Sequence, residues 1–227
     1  MKPVKVSPSL MCADILDLKR ELDIFAETGM DLLHVDIMDG HYAPNFTLGP
    51  DFCRRIAEHS SIPLDIHLMI ENVDAFIPAF AKVRNAILCV HPEAGYHPLR
   101  SLELIRKLGA HPAVAVSPAT SVETVKHLLP QAEMVCVMTV NPGYAGQKLI
   151  PQTLGKIEEL TRFAEIEGLD ADIEVDGNVS WENIPKMLDA GANVLVAGTS
   201  CIYDGKQGLK ENILRLRELI EAHTGSS

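Results

Sequence analysis

The 227-residue chain carries 31 acidic against 20 basic side chains, a formal net charge of −11, and is 47% hydrophobic but only 5% aromatic. That balance argues against nucleic acid, whose phosphates require a basic surface, and equally against an anionic membrane face. A small phosphorylated substrate stays open, because backbone amides and helix N-termini hold phosphate without net positive charge. The five cysteines (Cys12, Cys53, Cys89, Cys136, Cys201) stand singly with no CxxC pair, which suggests buried thiols in a reducing compartment. MKPVKVSPSL lacks the apolar core of a signal peptide and no run is long enough to span a bilayer, so a cytoplasmic location is expected.

In chain order, short apolar runs alternate with amphipathic stretches. VKVS (4–7) leads into DILDLKRELDIFAE, and LLHVDI (32–37) into DFCRRIAEH. LDIHLM (64–69) precedes VDAFIPAFAK, the weakest helix because Pro78 interrupts it, and AILCVH (86–91) precedes LRSLELIRKL. AVAVS (113–117) is followed by SVETVKHLL, MVCVMTV (134–140) by TLGKIEELTRFAEI, ADIEVD (171–176) by WENIPKMLDA, and NVLVAG (193–198) by LKENILRLRELIEA. Asp14, Ser121 and Ser180 read as helix starts, and Gly29, Gly109, Gly168 and Gly191 as helix ends. Repeated strand–helix units imply a parallel sheet, and eight of them fit a (β/α)₈ TIM barrel. With no linker or low-complexity tract, residues 1–227 read as a single barrel domain. An open doubly wound sheet would want a GxGxxG after its first strand, and SPSLMCAD offers none.

The C-terminal strand ends of such a barrel form the active face. Here they carry Ser7 and Ser9, His34 and Asp36, His67, His91, Ser117, Thr139, Asp176, and Gly198–Thr199, whereas the strand starts are nearly all aliphatic. Alternation along a strand makes His34, Asp36 and Met38 point the same way, as it does His67 and Met69. His34, Asp36, His67 and Asp176 therefore converge as candidate metal ligands, a nitrogen and oxygen set suited to a divalent Zn, Mn, Fe(II) or Co ion. Asp65 shares the parity of His67 and is expected to orient it or to sit deeper. His91 lacks a carboxylate at matched parity and is expected beside the ligands. His41, His59, His97, His111, His127 and His223 read as solvated surface.

TVNPGYAGQ (139–147), VDGNV (175–179) and VAGTS (196–200) follow the last three strands, where barrels frequently bind phosphate. Gly143, Tyr144, Ala145, Gly146, Gly177, Asn178, Gly198 and Thr199 are the candidate substrate contacts there. Met38, Met69 and Met138, each at or just past a strand end, suggest an apolar lining above a reactive centre.

SPSLMCAD, HVDIMDGHYAPNFTLGP, LDIHLMI, VMTVNPGYAGQ, EVDGNV and VAGTS together resemble the ribulose-phosphate 3-epimerase family, in order from about Ser7 to Tyr203. The resemblance implies a barrel of the ribulose-phosphate binding type that inverts carbon 3 of a phosphorylated ketose, by two-base proton transfer through a metal-stabilised enediolate. It implies one divalent metal on His34, Asp36, His67 and Asp176, proton transfer by Asp36 and Asp176, and substrate contact at Ser9 and His67. It implies phosphate contacts at Gly143–Gly146, Gly177–Asn178 and Gly198–Thr199, a homo-oligomer, and a place in the pentose phosphate pathway. Asn178 stands where the family usually has a second glycine. HPE (91–93) and GTS look more like the allulose-6-phosphate branch, while VDGNV and NVLVAG lean to the ribulose branch. Ribulose 5-phosphate is the favoured substrate and allulose 6-phosphate the alternative. A lyase would want a lysine at a strand end, which is absent. A non-catalytic sugar-phosphate-binding barrel would have no use for paired carboxylates on a metal.

Overall fold

The computed structural model describes residues 2–225. Among these, eight parallel strands alternate with eight helices: β1 (Lys5–Pro8), α1 (Leu18–Glu27), β2 (Leu33–Met38), α2 (Pro50–His59), β3 (Leu64–Met69), α3 (Ile77–Phe80), β4 (Ile87–Val90), α4 (Pro98–Lys107), β5 (His111–Val116), α5 (Val122–Lys126), β6 (Met134–Met138), α6 (Thr153–Glu167), β7 (Asp172–Asp176), α7 (Ile184–Asp189), β8 (Val194–Ala197) and α8 (Leu209–Thr224). The strands form one sheet in the order β1-β8-β7-β6-β5-β4-β3-β2. A single bridge between Ser9 and His34 brings the two ends together into a nearly closed TIM barrel.

Alternating side chains give the barrel two cores. Outward positions such as Val35, Ile66, Leu88, Val114, Val137, Val175 and Leu195 pack beneath the helices. Helices meet them with periodic apolar stripes, for instance Thr153, Ile157, Leu160 and Ala164 on α6. Each buried aliphatic side chain contributes about 1.5–3 kcal/mol. Inward positions form tiers of four drawn from alternate strands, as the register dictates. Leu32, Ile87, Met134 and Val194 plug the N-terminal end. Above them come Ser7, Asp65, Ala113 and Glu174, then His34, Cys89, Cys136 and Val196. Next are Ser9, His67, Ala115 and Asp176, and finally Asp36, His91, Met138 and Gly198 at the mouth. Only the tier at the N-terminal end is wholly apolar; every tier above it carries buried polar or ionisable side chains.

Some boundaries differ from the sequence expectation. α1 begins at Leu18 rather than at Asp14, because Asp14 closes a tight turn, its Oδ1 accepting from the Leu16 N–H at 3.0 Å. Pro78 falls in the first turn of α3, where its missing N–H costs nothing, and the helix is only four residues long. Ser121 caps α5 as expected, the Glu123 N–H donating to its Oγ at 3.3 Å. Ser180 opens a turn that reaches α7 at Ile184. The six surface histidines are all exposed.

Asp172 ties the N-terminal rim together, its carboxylate 2.6 Å from Lys5 Nζ and accepting from Asn193 Nδ2 at 2.8 Å. Burial works against that charge, yet the bonds from Lys5 and Asn193 hold the carboxyl below its ordinary value of 3.8. A depressed folded-state value gives stability that is full above the ordinary value and lost as pH falls through the depressed one. Asp172→Asn should therefore lower unfolding stability by about 1–3 kcal/mol at pH 7. In urea titrations the deficit should narrow steadily from pH 5 to pH 3; a deficit independent of pH would contradict the ion-pair account.

Candidate active site

The His/Asp cluster is assembled chiefly by β2 and β3, whose register sets His34 beside Asp65 and Asp36 beside His67. His34 Nδ1 lies 2.5 Å from Asp65 Oδ2, while its Nε2 is 3.2 Å from Asp36 Oδ1 and 3.9 Å from Asp176 Oδ2. His67 aims Nδ1 at the same point, 3.4 Å from Asp36 Oδ1 and 3.6 Å from Asp176 Oδ2. One donor atom from each of the four residues lies within 4.8 Å of the other three. His67 Nδ1 is buried without a hydrogen-bond partner. An orphaned buried nitrogen costs about 1–3 kcal/mol, and a cation at the convergence point would satisfy it. Two imidazoles and two carboxylates also match the chemistry of a divalent transition-metal site. The residues fit the metal.

Burial disfavours charge on His34, yet Asp65 and Asp36 beside it raise its pKa well above the ordinary value. Burial also works against the Asp36 carboxylate, but His34 and His67 hold it below its usual range. Asp176 goes the other way, raised by burial and by Asp36 in spite of His34. The two aspartates therefore share a cluster but not an electrostatic environment.

Asp65 orients His34, not His67. Neighbours across parallel strands are about 4.8 Å apart whereas positions i and i+2 on one strand are about 6.6 Å apart, so the lateral partner wins. This leaves His34 Nε2 free for the cluster, the carboxylate–histidine arrangement common behind metal ligands. Sequence reasoning missed Glu174, fully buried in the same tier as Asp65, with Oε1 4.0 Å from His34 Nδ1. Burial and the adjacent Asp65 push its pKa well up. The available signal was its parity with Asp176, two residues on. His91 stands beside the ligands as expected, its Nε2 2.8 Å from His67 Nε2. A carboxylate does approach it, since Glu93 in the following turn brings Oε2 to 3.6 Å from Nδ1.

Above the cluster opens a cleft. Ser9, Asp36, Met38, Met69, Met138, Gly143, Tyr144, Ala145, Gly146, Asp176, Gly177, Asn178, Gly198 and Thr199 all line it, as the strand-end pattern anticipates. Ser9 Oγ donates to Asp36 Oδ2 at 3.2 Å. His34 and His67 do not reach the cleft; both are fully buried and form the layer beneath its floor. Met11, Cys12, Val140, Asn141, Pro142, Gln147, Val179, Val196 and Ser200 complete the lining without having been singled out; apart from Val196 on β8 they lie in loops and turns, which carry no periodic signal. Among the described residues no lysine or arginine lines the cleft.

The rim is built from the loops after β6, β7 and β8. Asn178 takes the left-handed conformation (φ 46°), which asparagine tolerates better than most residues. Its Oδ1 accepts from Leu149 N at 3.3 Å and Asn183 Nδ2 at 2.8 Å, and its Nδ2 donates to Ser200 Oγ at 3.1 Å. Gly177 (φ 111°) runs so close to the preceding loop that a Cβ would lie 2.5 Å from Val140 Cγ2. From the opposite side Asn45 Nδ2 donates to the Gly143 carbonyl at 3.0 Å.

A profile of the ribulose-phosphate 3 epimerase family matches residues 5–203. The chain belongs to that family. It is 43% identical over 215 residues to a ribulose-phosphate 3-epimerase of Bacillus subtilis, covering 94% of this chain and 98% of that protein. A ribulose-phosphate 3-epimerase of Escherichia coli K12 is 38% identical, covering 90% of this chain and 91% of its own. Among solved structures, a tryptophan synthase α-subunit from Pyrococcus furiosus superimposes with TM-score 0.66 over 99% of this chain at 18% identity, a likeness of fold alone. Family membership makes the chain an epimerase, an isomerase acting on a phosphorylated sugar, and the buried His/Asp cluster is where the epimerase could bind a divalent metal.

Asp65→Ala should weaken divalent-metal binding by about 10–100-fold, the usual effect of removing a carboxylate behind a ligating histidine. Competition with a chromophoric chelator measures this directly. Affinity equal to the parent protein would show that Asp65 does not set His34.

Proposed function

We propose that the protein interconverts D-ribulose 5-phosphate and D-xylulose 5-phosphate by inverting carbon 3, within pentose phosphate metabolism. The observation that carries this reading is the placement of Asp36 and Asp176 at one cleft from strands three apart in the barrel order, with His34 and His67 immediately below. Inversion requires a proton to leave one face of the carbon and another to arrive on the opposite face, so two carboxylates flanking the substrate are the economical arrangement. In one direction Asp36 removes the proton while Asp176 donates to the other face, and in the reverse direction the roles exchange. Loss of the proton beside the ketone leaves an enediolate. A divalent cation held by His34, Asp36, His67 and Asp176 supplies the positive charge that offsets the negative charge developing on the substrate oxygens.

The chain's own groups supply the rest. Ser9 keeps Asp36 aimed into the cleft through its hydrogen bond. Met38, Met69 and Met138 line the cleft with apolar surface that excludes water from the reacting carbon. The loops at Gly143–Gly146, Gly177–Asn178 and Gly198–Thr199 hold the phosphate through neutral backbone and side-chain donors, consistent with the absence of lysine and arginine from the lining. A Schiff-base lyase has no lysine to use here, Lys148 being exposed outside the cleft.

Exchange of the C3 proton with D₂O, followed by NMR on metal-loaded protein, tests the reaction with ribulose 5-phosphate and allulose 6-phosphate side by side. Ribulose 5-phosphate should exchange and epimerise faster; the reverse ranking would assign the hexulose, and exchange of neither would refute the epimerase. Asp176→Asn should fold normally but lose exchange and epimerisation by about 10²–10⁴-fold. Gly146 sits at φ 81° with open space around its Cβ position, so a β-branched residue there is strained rather than crowded. Gly146→Val should therefore raise KM for the phosphorylated sugar with little effect on kcat. An unchanged KM would place the phosphate elsewhere.

A further inference from the structure

The face of His67 that turns away from the metal cluster does not end in apolar packing. Its Nε2 meets His91 Nε2 at 2.8 Å, His91 Nδ1 meets Ser117 Oγ at 3.3 Å, and Ser117 Oγ meets the Tyr42 hydroxyl at 3.2 Å. The two imidazoles stack with centroids 5.0 Å apart at 23°, and the Tyr42 ring covers His91 at 4.7 Å. Ser117 is itself pinned by Lys156, whose Nζ donates to the Ser117 carbonyl at 3.0 Å. His67 and His91 are completely buried, so water does not substitute for a missing partner.

Two ring nitrogens facing each other at hydrogen-bond distance must share one proton. If it belongs to His67 Nε2, then His67 Nδ1 carries a lone pair toward Asp36 and Asp176, which is the ligating tautomer. If it belongs to His91 Nε2, His67 carries its proton on Nδ1, where it blocks a cation. The groups at the far end favour the first. Glu93 Oε2, a carboxylate oxygen that only accepts, lies 3.6 Å from His91 Nδ1 and draws the proton there. Ser117 Oγ can also accept it while donating to Tyr42, and this leaves His91 Nε2 as the acceptor.

We propose that His91, held by Ser117 and Tyr42, is a positioning residue that fixes His67 in its metal-ligating tautomer. The inference rests on the metal reading of the His34, Asp36, His67 and Asp176 cluster. It also assigns a purpose to Tyr42, which the turn after β2 brings over the barrel mouth and which otherwise contributes only half-buried apolar surface.

The test uses Co²⁺ as probe, in the parent protein and in three variants. Affinity comes from chelator competition, and proton NMR of the Co²⁺ form reads the hyperfine-shifted imidazole N–H signals. The parent protein should show two slowly exchanging N–H signals, from His34 Nδ1–H against Asp65 and His67 Nε2–H against His91. His91→Gln, whose amide both accepts and donates, should keep both signals and bind within about threefold of the parent. His91→Phe should lose one signal and bind about 10–100-fold more weakly. Ser117→Ala, which leaves both rings in place, should bind more weakly than the parent and exchange one N–H faster. Parent-like affinity and both slow signals in His91→Phe would overturn the proposal. Should that variant not fold, unchanged affinity and exchange in Ser117→Ala would overturn it instead. Failure of the parent protein to bind Co²⁺ would overturn the metal reading as well, which separates the two.

Discussion

Every feature of this site depends on burying ionisable groups inside an aliphatic barrel without leaving any of them alone. An isolated ion taken out of water costs several kcal/mol even after relaxation, comparable to the whole stability of a domain. The barrel meets this constraint by register. His34 and Asp65 are lateral neighbours on β2 and β3, as are Asp36 and His67, so each of these four groups faces its complement across one inter-strand step. That register is enforced from outside, because Leu33, Val35 and Ile37 on β2 and Leu64, Ile66 and Leu68 on β3 are buried under the helices. A slip by one residue would turn these six toward the interior and the ionisable four toward the helices. Apolar packing on one face therefore fixes the chemistry on the other.

The same electrostatics would link a metal held in the His/Asp cluster to a phosphate held at the rim. Asp36 and Asp176 give the cleft a negative floor, and its walls carry no cationic side chain. A phosphate dianion entering that cleft meets repulsion from the floor and only neutral donors at the rim. A divalent cation between the carboxylates reverses the sign of the local field, and in such sites the ion is the largest charge present. Metal and phosphorylated substrate are thus expected to strengthen each other's binding by the same factor, as linkage requires. The acidic character of the whole chain is then no obstacle to an anionic substrate.

How much of this was readable in advance follows from where the information lies. The convergence of His34, Asp36, His67 and Asp176 was legible because strand parity and position within a strand are local properties, and each could be placed from its own strand alone. Asp65 does sit deeper, one of the two places expected, but its pairing with His34 was not legible, because inter-strand register does not appear in either strand separately. Glu174 went unnoticed for a related reason, since attention to strand ends discards the tier beneath them. The carboxylate near His91 comes from a turn, Glu93, where alternation stops being a guide. Helix existence was secure but helix starts were not. Asp14 has the chemistry of a cap and spends it on a turn three residues before the cap position of α1.

Asn178 shows how a departure from the family pattern can be absorbed. Its backbone conformation at φ 46° is one a glycine would adopt freely and that asparagine reaches at small cost. What a glycine could not supply is the amide side chain. Through Oδ1 and Nδ2 that side chain joins Leu149, Asn183 and Ser200, which belong to the segments after β6, β7 and β8. The three loops expected to surround the phosphate are thereby tied to one group rather than arranged independently. Neutral donors bind an anion well only when they are already oriented, because each must otherwise lose its freedom at the moment of binding. In a rim with no lysine or arginine to attract the phosphate, that preorganisation is the main resource left, and Asn178 concentrates it at the junction of all three loops.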